Sequence, residues 1–421
     1  MTKLKTKLSL LLFSLLPLPA LAANDSGDTA WILISTALVL LMTPGLAFFY
    51  AGMVRSKNAA STLFQNIISL GVIGLVWVTV GYSLAFSGGD GFIGDLEQVM
   101  LKGVGQEGDG IPPILFMAFQ MMFAIITPVL MTGAFAERVR FVPWIVLMIL
   151  WSLAVYSPVA HWVWGETGWL LAKGALDFAG GFVVHMTAGF SALVIAILIG
   201  RRKDFGTDTK PHDIGMIVLG TSLLWFGWFG FNAGSALAAN GLAAHALVTT
   251  FVSAAAAMVI WTLVDNAKDG KPTAMGACIG VVAGLVAVTP AAGFVSVPSA
   301  MLIGALAGLI CNLVARAVKG TFNVDDSLDV FACHGVGGLL GCIMTGLLAS
   351  TAVNEGGANG MLNGGDSLLM ANLTGAAAVA GYSVVVTFIL YKVVNAVLPL
   401  RATDEEETQG LDQSQHGETI N

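Results

Sequence analysis

Two stretches decide the fold: LDFAGGFVVH at Leu176–His185 and LDVFACH at Leu328–His334. Each passes from an Asp into an apolar run that holds one histidine. Asp is a strong N-cap, so Asp177 and Asp329 are read as marking helix starts. His185 lies eight residues beyond Asp177, about 12 Å along a helix, and His334 five residues beyond Asp329, about 7.5 Å. In a hydrocarbon core of roughly 30 Å this leaves an axial gap of about 10 Å, so spacing alone does not bring the rings into contact.

The apolar runs continue on both sides. Eleven are about long enough to cross a bilayer: 31–54, 62–87, 112–136, 141–162, 178–200, 214–235, 243–265, 273–292, 298–315, 329–350 and 367–394. The expected fold class is an all-α polytopic membrane protein with eleven transmembrane helices. Of the 19 Lys and Arg, fourteen fall on alternate connections, from Arg55 and Lys57 through Arg316 and Lys319 to Arg401. The other connections hold only Lys102 and Lys173. Basic loops face the cytoplasm, which predicts an N-out, C-in chain. Five and five spans of opposite orientation, plus one, suit this count. The echoes Phe48-Phe49-Tyr50-Ala51-Gly52 and Gly230-Phe231-Asn232-Ala233-Gly234 support it. The first repeat is read as 31–200, the inverted second as 214–350 and the eleventh helix as 367–394, within a membrane domain 23–401. A substrate path is expected where inverted repeats meet, near the midplane.

Composition agrees. Of 421 residues 56% are hydrophobic and only 11% charged, where a soluble domain carries about a quarter. The net charge of −7 and the lack of a basic aromatic patch exclude nucleic acid as a partner. Lys3, Lys5 and Lys7 precede a short apolar run and Ala20-Leu21-Ala22, so residues 1–22 are expected to be a removed signal peptide. Cys278, Cys311, Cys333 and Cys342 lie in apolar runs without metal or redox spacing and read as buried small hydrophobes. No metal site, cofactor, nucleophile motif or phosphate loop is expected, so the chain is not read as an enzyme.

The span interiors hold His185 and His334 but no Asp, Glu, Lys or Arg. An ionisable group at membrane depth points to a conduction path or proton relay. Two core histidines satisfying one another is the plainer alternative, and a paired haem site a third. Ion paths use carboxylates or carbonyl rings. Imidazoles instead suit a small neutral polar molecule and a proton. His161 and His245 near span ends, His212 in a loop and His416 in the tail read as interfacial or solvated.

The chain resembles the ammonium transporter (Amt/Mep/Rh) family, nearest to its bacterial Amt members. The resemblance rests on Thr43-Pro44-Gly45-Leu46-Ala47-Phe48-Phe49-Tyr50, Gly133-Ala134-Phe135-Ala136-Glu137-Arg138, Asp177-Phe178-Ala179-Gly180-Gly181 with His185, and Gly227–Ser235. Val288-Thr289-Pro290, Asp325-Asp326 and Asp329 with His334-Gly335 complete it, in order along nearly the whole chain. It implies a homotrimer in the cytoplasmic (inner) membrane, with one pore per subunit and membrane lipid around it. It implies an outer ammonium site at Phe119, Trp164, Phe231 and Ser235, where aromatic faces attract a cation. Phe123 and Phe231 resemble a gate, His185 and His334 the conducting twin histidines, Trp228 a further pore aromatic, and Asp177 a structural support. Such aromatics also pack or anchor at membrane interfaces. The pattern departs at Ile279, where relatives carry Ser, which removes a polar role there.

The function implied is ammonium uptake: recruitment, deprotonation, passage of ammonia past the histidines, and separate, electrogenic proton transfer. Alternatives are an electroneutral channel for ammonia or carbon dioxide, and an ammonium sensor signalling through its tail. Residues 402–421 form a cytoplasmic tail, acidic from Asp404 to Glu407. Its segment Gly410–Glu418 resembles one that docks a PII signalling protein.

Overall fold

A computed structural model describes residues 24–207 and 210–420, so the expected signal peptide lies outside the described residues. These residues are helical, joined by loops, with no strand beyond two isolated backbone bridges. Among the described residues, ten helices are long and apolar enough to cross a membrane. They are α1 Ser26–Met53, α2 Ser56–Phe86, α3 Pro113–Gly133, α4 Phe141–Ala172, α5 Gly181–Ile199, α6 Ile214–Ala233 and α7 Gly241–Asp269, then α9 Val297–Gly320, α10 Phe331–Leu348 and α11 Leu368–Val397. Between α7 and α9 lies the shorter α8, Ala274–Val288.

Helix α8 departs from the expected span. Its 15 residues rise about 22 Å, less than a hydrocarbon core. Pro290 lacks the N–H that would extend it, and the chain turns through Thr289–Phe294 instead. Val281 to Val295 is buried throughout, so α8 is walled in by protein along its second half.

Helix pairs close at glycines. A Cβ on Gly220 of α6 would lie 2.3 Å from Phe49 N of α1. One on Gly189 of α5 would lie 2.0 Å from Gly335 N of α10. Side chains larger than hydrogen cannot fit, so backbones meet directly, as small residues permit between membrane helices. Helices α1 and α6 therefore cross, and so do α5 and α10. Apolar side chains such as Leu33, Leu75, Val259, Phe388 and Val397 remain exposed on the outside of the bundle.

The end of the bundle carrying residues 402–420, the tail end, is held together by ion pairs. Arg138 is fully buried and donates to Gly200 O (2.9 Å), Ala134 O (3.1 Å) and Ser327 Oγ (2.7 Å). Arg202 pairs with Asp325 (2.9 Å) and Glu137 (3.3 Å), and Arg55 Nε donates to Glu137 (2.9 Å). Arg55 also pairs with Asp204. Charges left alone there would cost several kcal/mol each, so the cluster holds as a set.

The tail is docked on this cluster. Its helix α12, Asp404–Gln409, starts at a capping box of Thr403 and Glu406. Glu407 is buried against Arg401 (2.8 Å), and Asp412 caps α2 through Ala60 N (3.0 Å) and Ser61 N (2.7 Å). Arg140 reaches Glu406 at 3.0 Å. Glu406 and Glu407 of the acidic run thus pair with basic residues, whereas Asp404 and Glu405 stay exposed.

Two histidines differ from expectation. His161 is fully buried, with Nδ1 3.0 Å from Ala85 O and Nε2 2.7 Å from Asp90 O, and ties the α2–α3 loop to α4. His416 packs edge-on against Phe64 and Phe141. Helix-end position in the sequence does not reveal such loops folding back.

Candidate functional site

At the far end from the tail, a cavity of about 400 Å³ opens between α3, α4 and the chain after α6. Phe119, Phe123, Trp164 and Ser235 line it, with Asp177 and Gln120. Helix α3 supplies Phe119, Gln120 and Phe123 from one face, because residues three and four apart are neighbours on a helix. Trp164 Nε1 donates to Asp177 O at 3.0 Å, which fixes the indole over the cavity. Ser235 Oγ donates to Phe231 O at 2.8 Å, leaving its lone pairs free to accept.

Phe231 is not a wall of this cavity. It lies one layer below, 4.2 Å from Phe123 between ring centres at 35°. Phe119 and Phe123 are 5.0 Å apart, and Phe123 meets Trp164 edge-on at 6.2 Å. Phe123 and Phe231 are each 1% exposed, so the two rings shut the floor of the cavity.

Below them the histidines touch. His185 Nδ1 and His334 Nδ1 are 3.2 Å apart, a hydrogen bond in which one ring donates and the other accepts. Both rings are buried, and Trp228 stacks on His185 at 5.5 Å and 20°. Trp228 Nε1 donates to Thr289 Oγ1 at 2.9 Å, which holds the indole flat against the imidazole. His185 Nε2 is buried without a partner among the described residues. The void beside the pair measures about 10 Å³, room for about one water, and its other walls include Leu46, Ile126, Leu130, Val184 and Val282. No carboxylate is among the described residues that line it.

Each histidine rides on a π-helical turn, Gly181–Met186 in α5 and Phe331–Val336 in α10. Such turns widen the helix and recur at functional positions. Asp177 fixes the first: its carboxylate accepts from Gly180 N (2.8 Å), Gly181 N (2.6 Å) and Phe182 N (2.7 Å). Burial pushes this carboxyl above its usual range, against the pull of those N–H groups.

The second turn corrects the sequence reading. Asp326, not Asp329, caps α10, accepting from Val330 N (3.0 Å) and Phe331 N (2.8 Å). Asp329 has φ 60° and pairs with Lys319 at 2.8 Å. Burial, with the neighbouring Asp329 charge, pushes the Asp326 carboxyl up to about 6. From Asp326 to His334 is eight residues, the same as from Asp177 to His185. Each ring therefore stands about 12 Å from its cap. That spacing trims the expected gap to about 6 Å of a roughly 30 Å core, and the rings in fact meet at 3.2 Å where α5 and α10 cross at Gly189 and Gly335. The repeated eight-residue spacing was the signal available in the sequence. Gln120 carried no motif that singled it out, and Thr289 stood in the Val288-Thr289-Pro290 resemblance with no role assigned to it.

At the tail end a cavity of about 860 Å³ is lined by Arg201, Arg202, Lys203, Lys319, Asn323 and Asp329, among others. Ile279 lines it too, and its side chain offers no polar contact there.

The family model described as Ammonium Transporter Family matches residues 30–420. An ammonium transporter of Bacillus subtilis is 49% identical over 396 residues, covering 93% of this chain and 98% of that one. The ammonium transporter Amt1 of Archaeoglobus fulgidus is 49% identical over 397 residues, covering 94% and 99%. The crystal structure of Candida albicans Mep2 superposes with a TM-score of 0.86 at 39% identity, covering 91% of this chain and 88% of the other.

Proposed function

The chain belongs to the ammonium transporter family, and on that premise we propose that it takes up ammonium as ammonia plus a separate proton. The observation that carries this is the 3.2 Å contact of His185 with His334 in an apolar void, beneath an aromatic cavity shut by Phe123 and Phe231. A cation is attracted to Phe119, Trp164 and Ser235 above the gate by about 0.5–2 kcal/mol per aromatic face. Stripping an intact ion of water in the void below would cost far more. Ammonium therefore loses a proton at the cavity, and neutral ammonia passes Phe231, Trp228 and the histidines. The proton crosses by the imidazoles, whose Nδ1–H···Nδ1 bond lets a proton enter on one ring and leave from the other. Ammonia and proton recombine beyond the pore, so one charge crosses with each ammonia. Asp177 orients α5 and Trp164 and takes no part as a ligand.

The wider reading is eleven membrane crossings, with α8 as the buried eighth, in two inverted halves (31–200 and 214–350) and a last helix. The tail end faces the cytoplasm and the aromatic cavity faces outward. This is supported by the placement of fourteen basic residues on one side and by the crossings of α1 with α6 and α5 with α10. Three copies form the unit in the inner membrane; a native mass of one or two chains in mild detergent would contradict that. The purified chain in liposomes should carry ammonium down its gradient, and absence of flux would overturn the function.

The docked tail offers a platform for a PII signalling protein. Removing residues 402–421 is expected to abolish co-purification with a PII protein from the same cell. Retention undiminished by the deletion would remove the tail from that interaction.

A further inference from the structure

Gln120 stands in the aromatic cavity without a task. It is 8% exposed, and its Oε1 is buried with no hydrogen-bond partner among the described residues. Buried side-chain amides are nearly always bonded, and an exception points to a missing water or ion. Its place is specific: it sits on α3 between Phe119 and Phe123 and shares the cavity with Trp164 and Ser235.

The chemistry around it selects an occupant. The aromatic faces favour positive charge. Ser235 has spent its hydrogen on Phe231 O and can only accept. The Asp177 carboxylate is occupied by backbone N–H groups. An anion would find the ring faces repulsive, and an apolar solute would leave both oxygens unpaired. A small cation bearing several N–H groups satisfies the rings, the Ser235 hydroxyl and an amide oxygen together. No hydrogen bond holds the Gln120 amide, so a turn about its last bond can bring that oxygen to the occupant.

We propose that Gln120 is a specificity-determining ligand for the recruited cation, its amide oxygen accepting an N–H of ammonium that Ser235 Oγ also holds. This rests on the ammonium site of the preceding section and adds a second oxygen to it. Two acceptor oxygens reward N–H donors, whereas a bare alkali ion of similar size needs more oxygens than these to replace its water.

Ammonium uptake by the full chain in liposomes, measured against concentration, tests this. Gln120→Leu is expected to raise the half-saturating concentration about tenfold, the worth of one hydrogen bond to a charged group. The maximal rate should hold within about twofold, because the lost contact belongs to binding. Gln120→Glu is expected to lower the half-saturating concentration by placing a charge beside the cation. An unchanged half-saturation in Gln120→Leu, or a fall in maximal rate alone, would overturn the proposal. Should the Leu variant fail to assemble, the Glu variant decides: unchanged or weaker binding contradicts it. Trp164→Leu and Ser235→Ala separate the two claims. If they weaken binding and Gln120→Leu does not, only the Gln120 role fails. If none of the three moves it, the ammonium site itself fails.

Discussion

His185→Ala and His334→Ala are each expected to lower ammonium-evoked current by at least about a hundredfold, some 2.7 kcal/mol on the barrier. Either change removes one half of the Nδ1–Nδ1 contact and leaves the surviving imidazole buried without its partner. An orphaned polar group in such a site costs about 1–3 kcal/mol. It also deletes the group that a proton would occupy next, so the relay fails even if ammonia still enters the enlarged void. The void of about 10 Å³ would grow by a ring's volume, and water there would relax the exclusion of other small cations. The check is current and ammonia flux on the same liposome preparation. Near wild-type current in either variant would remove the histidines from proton transfer. The aromatic cavity lies above the change, so half-saturation should move much less than rate.

Gly189→Val is expected to abolish transport by a different route and to reduce the yield of folded protein. The added Cβ would stand 2.0 Å from Gly335 N and 2.3 Å from its Cα, both backbone atoms that no rotamer change can move. Helices α5 and α10 would have to part by more than 1 Å, since ordinary contact needs about 3.5 Å. That stretches the His185–His334 contact of 3.2 Å beyond hydrogen-bond range. Overpacking of this kind costs typically 1–3 kcal/mol, and more where backbone meets backbone. The melting temperature in detergent should fall with the current. Gly71 in α2 is the control: no atom lies within 4 Å of its Cβ position, so Gly71→Ala should leave both unchanged or slightly improved. A functional, normally stable Gly189→Val protein would contradict the crossing described.

These two sites show what could be read from the chain alone. Apolar runs and a lone histidine in each of two are properties of single residues in order, so the helical class and the residues of interest were visible. Position in depth was not. It depends on where a helix begins, and two acids, Asp326 and Asp329, compete to begin α10. The hydrogen bonds of Val330 and Phe331 decide for Asp326, the acid whose eight-residue spacing to His334 repeats that of Asp177 to His185. The crossing at Gly189 and Gly335 is equally silent, because a glycine in an apolar run reads the same in contact or facing lipid. Layering hid too: Phe119 and Phe231 are both aromatic, but one lines the cavity and the other lies beneath it. The length of α8 was overread because the apolar run continues through Thr289–Val295, where Pro290 ends the helix without ending the hydrophobic sequence. The fold-back of His161 and the docking of Asp412 on α2 depend on loops, whose partners are distant in sequence.

On this mechanism ammonia and a proton cross by separate routes but in equal number. Charge and ammonia should therefore be counted at once, in liposomes holding the unmodified chain, under an inward ammonium gradient with no other permeant ion. One elementary charge is expected for each ammonia delivered. Ammonia flux with no accompanying current would contradict it and favour an electroneutral gas channel.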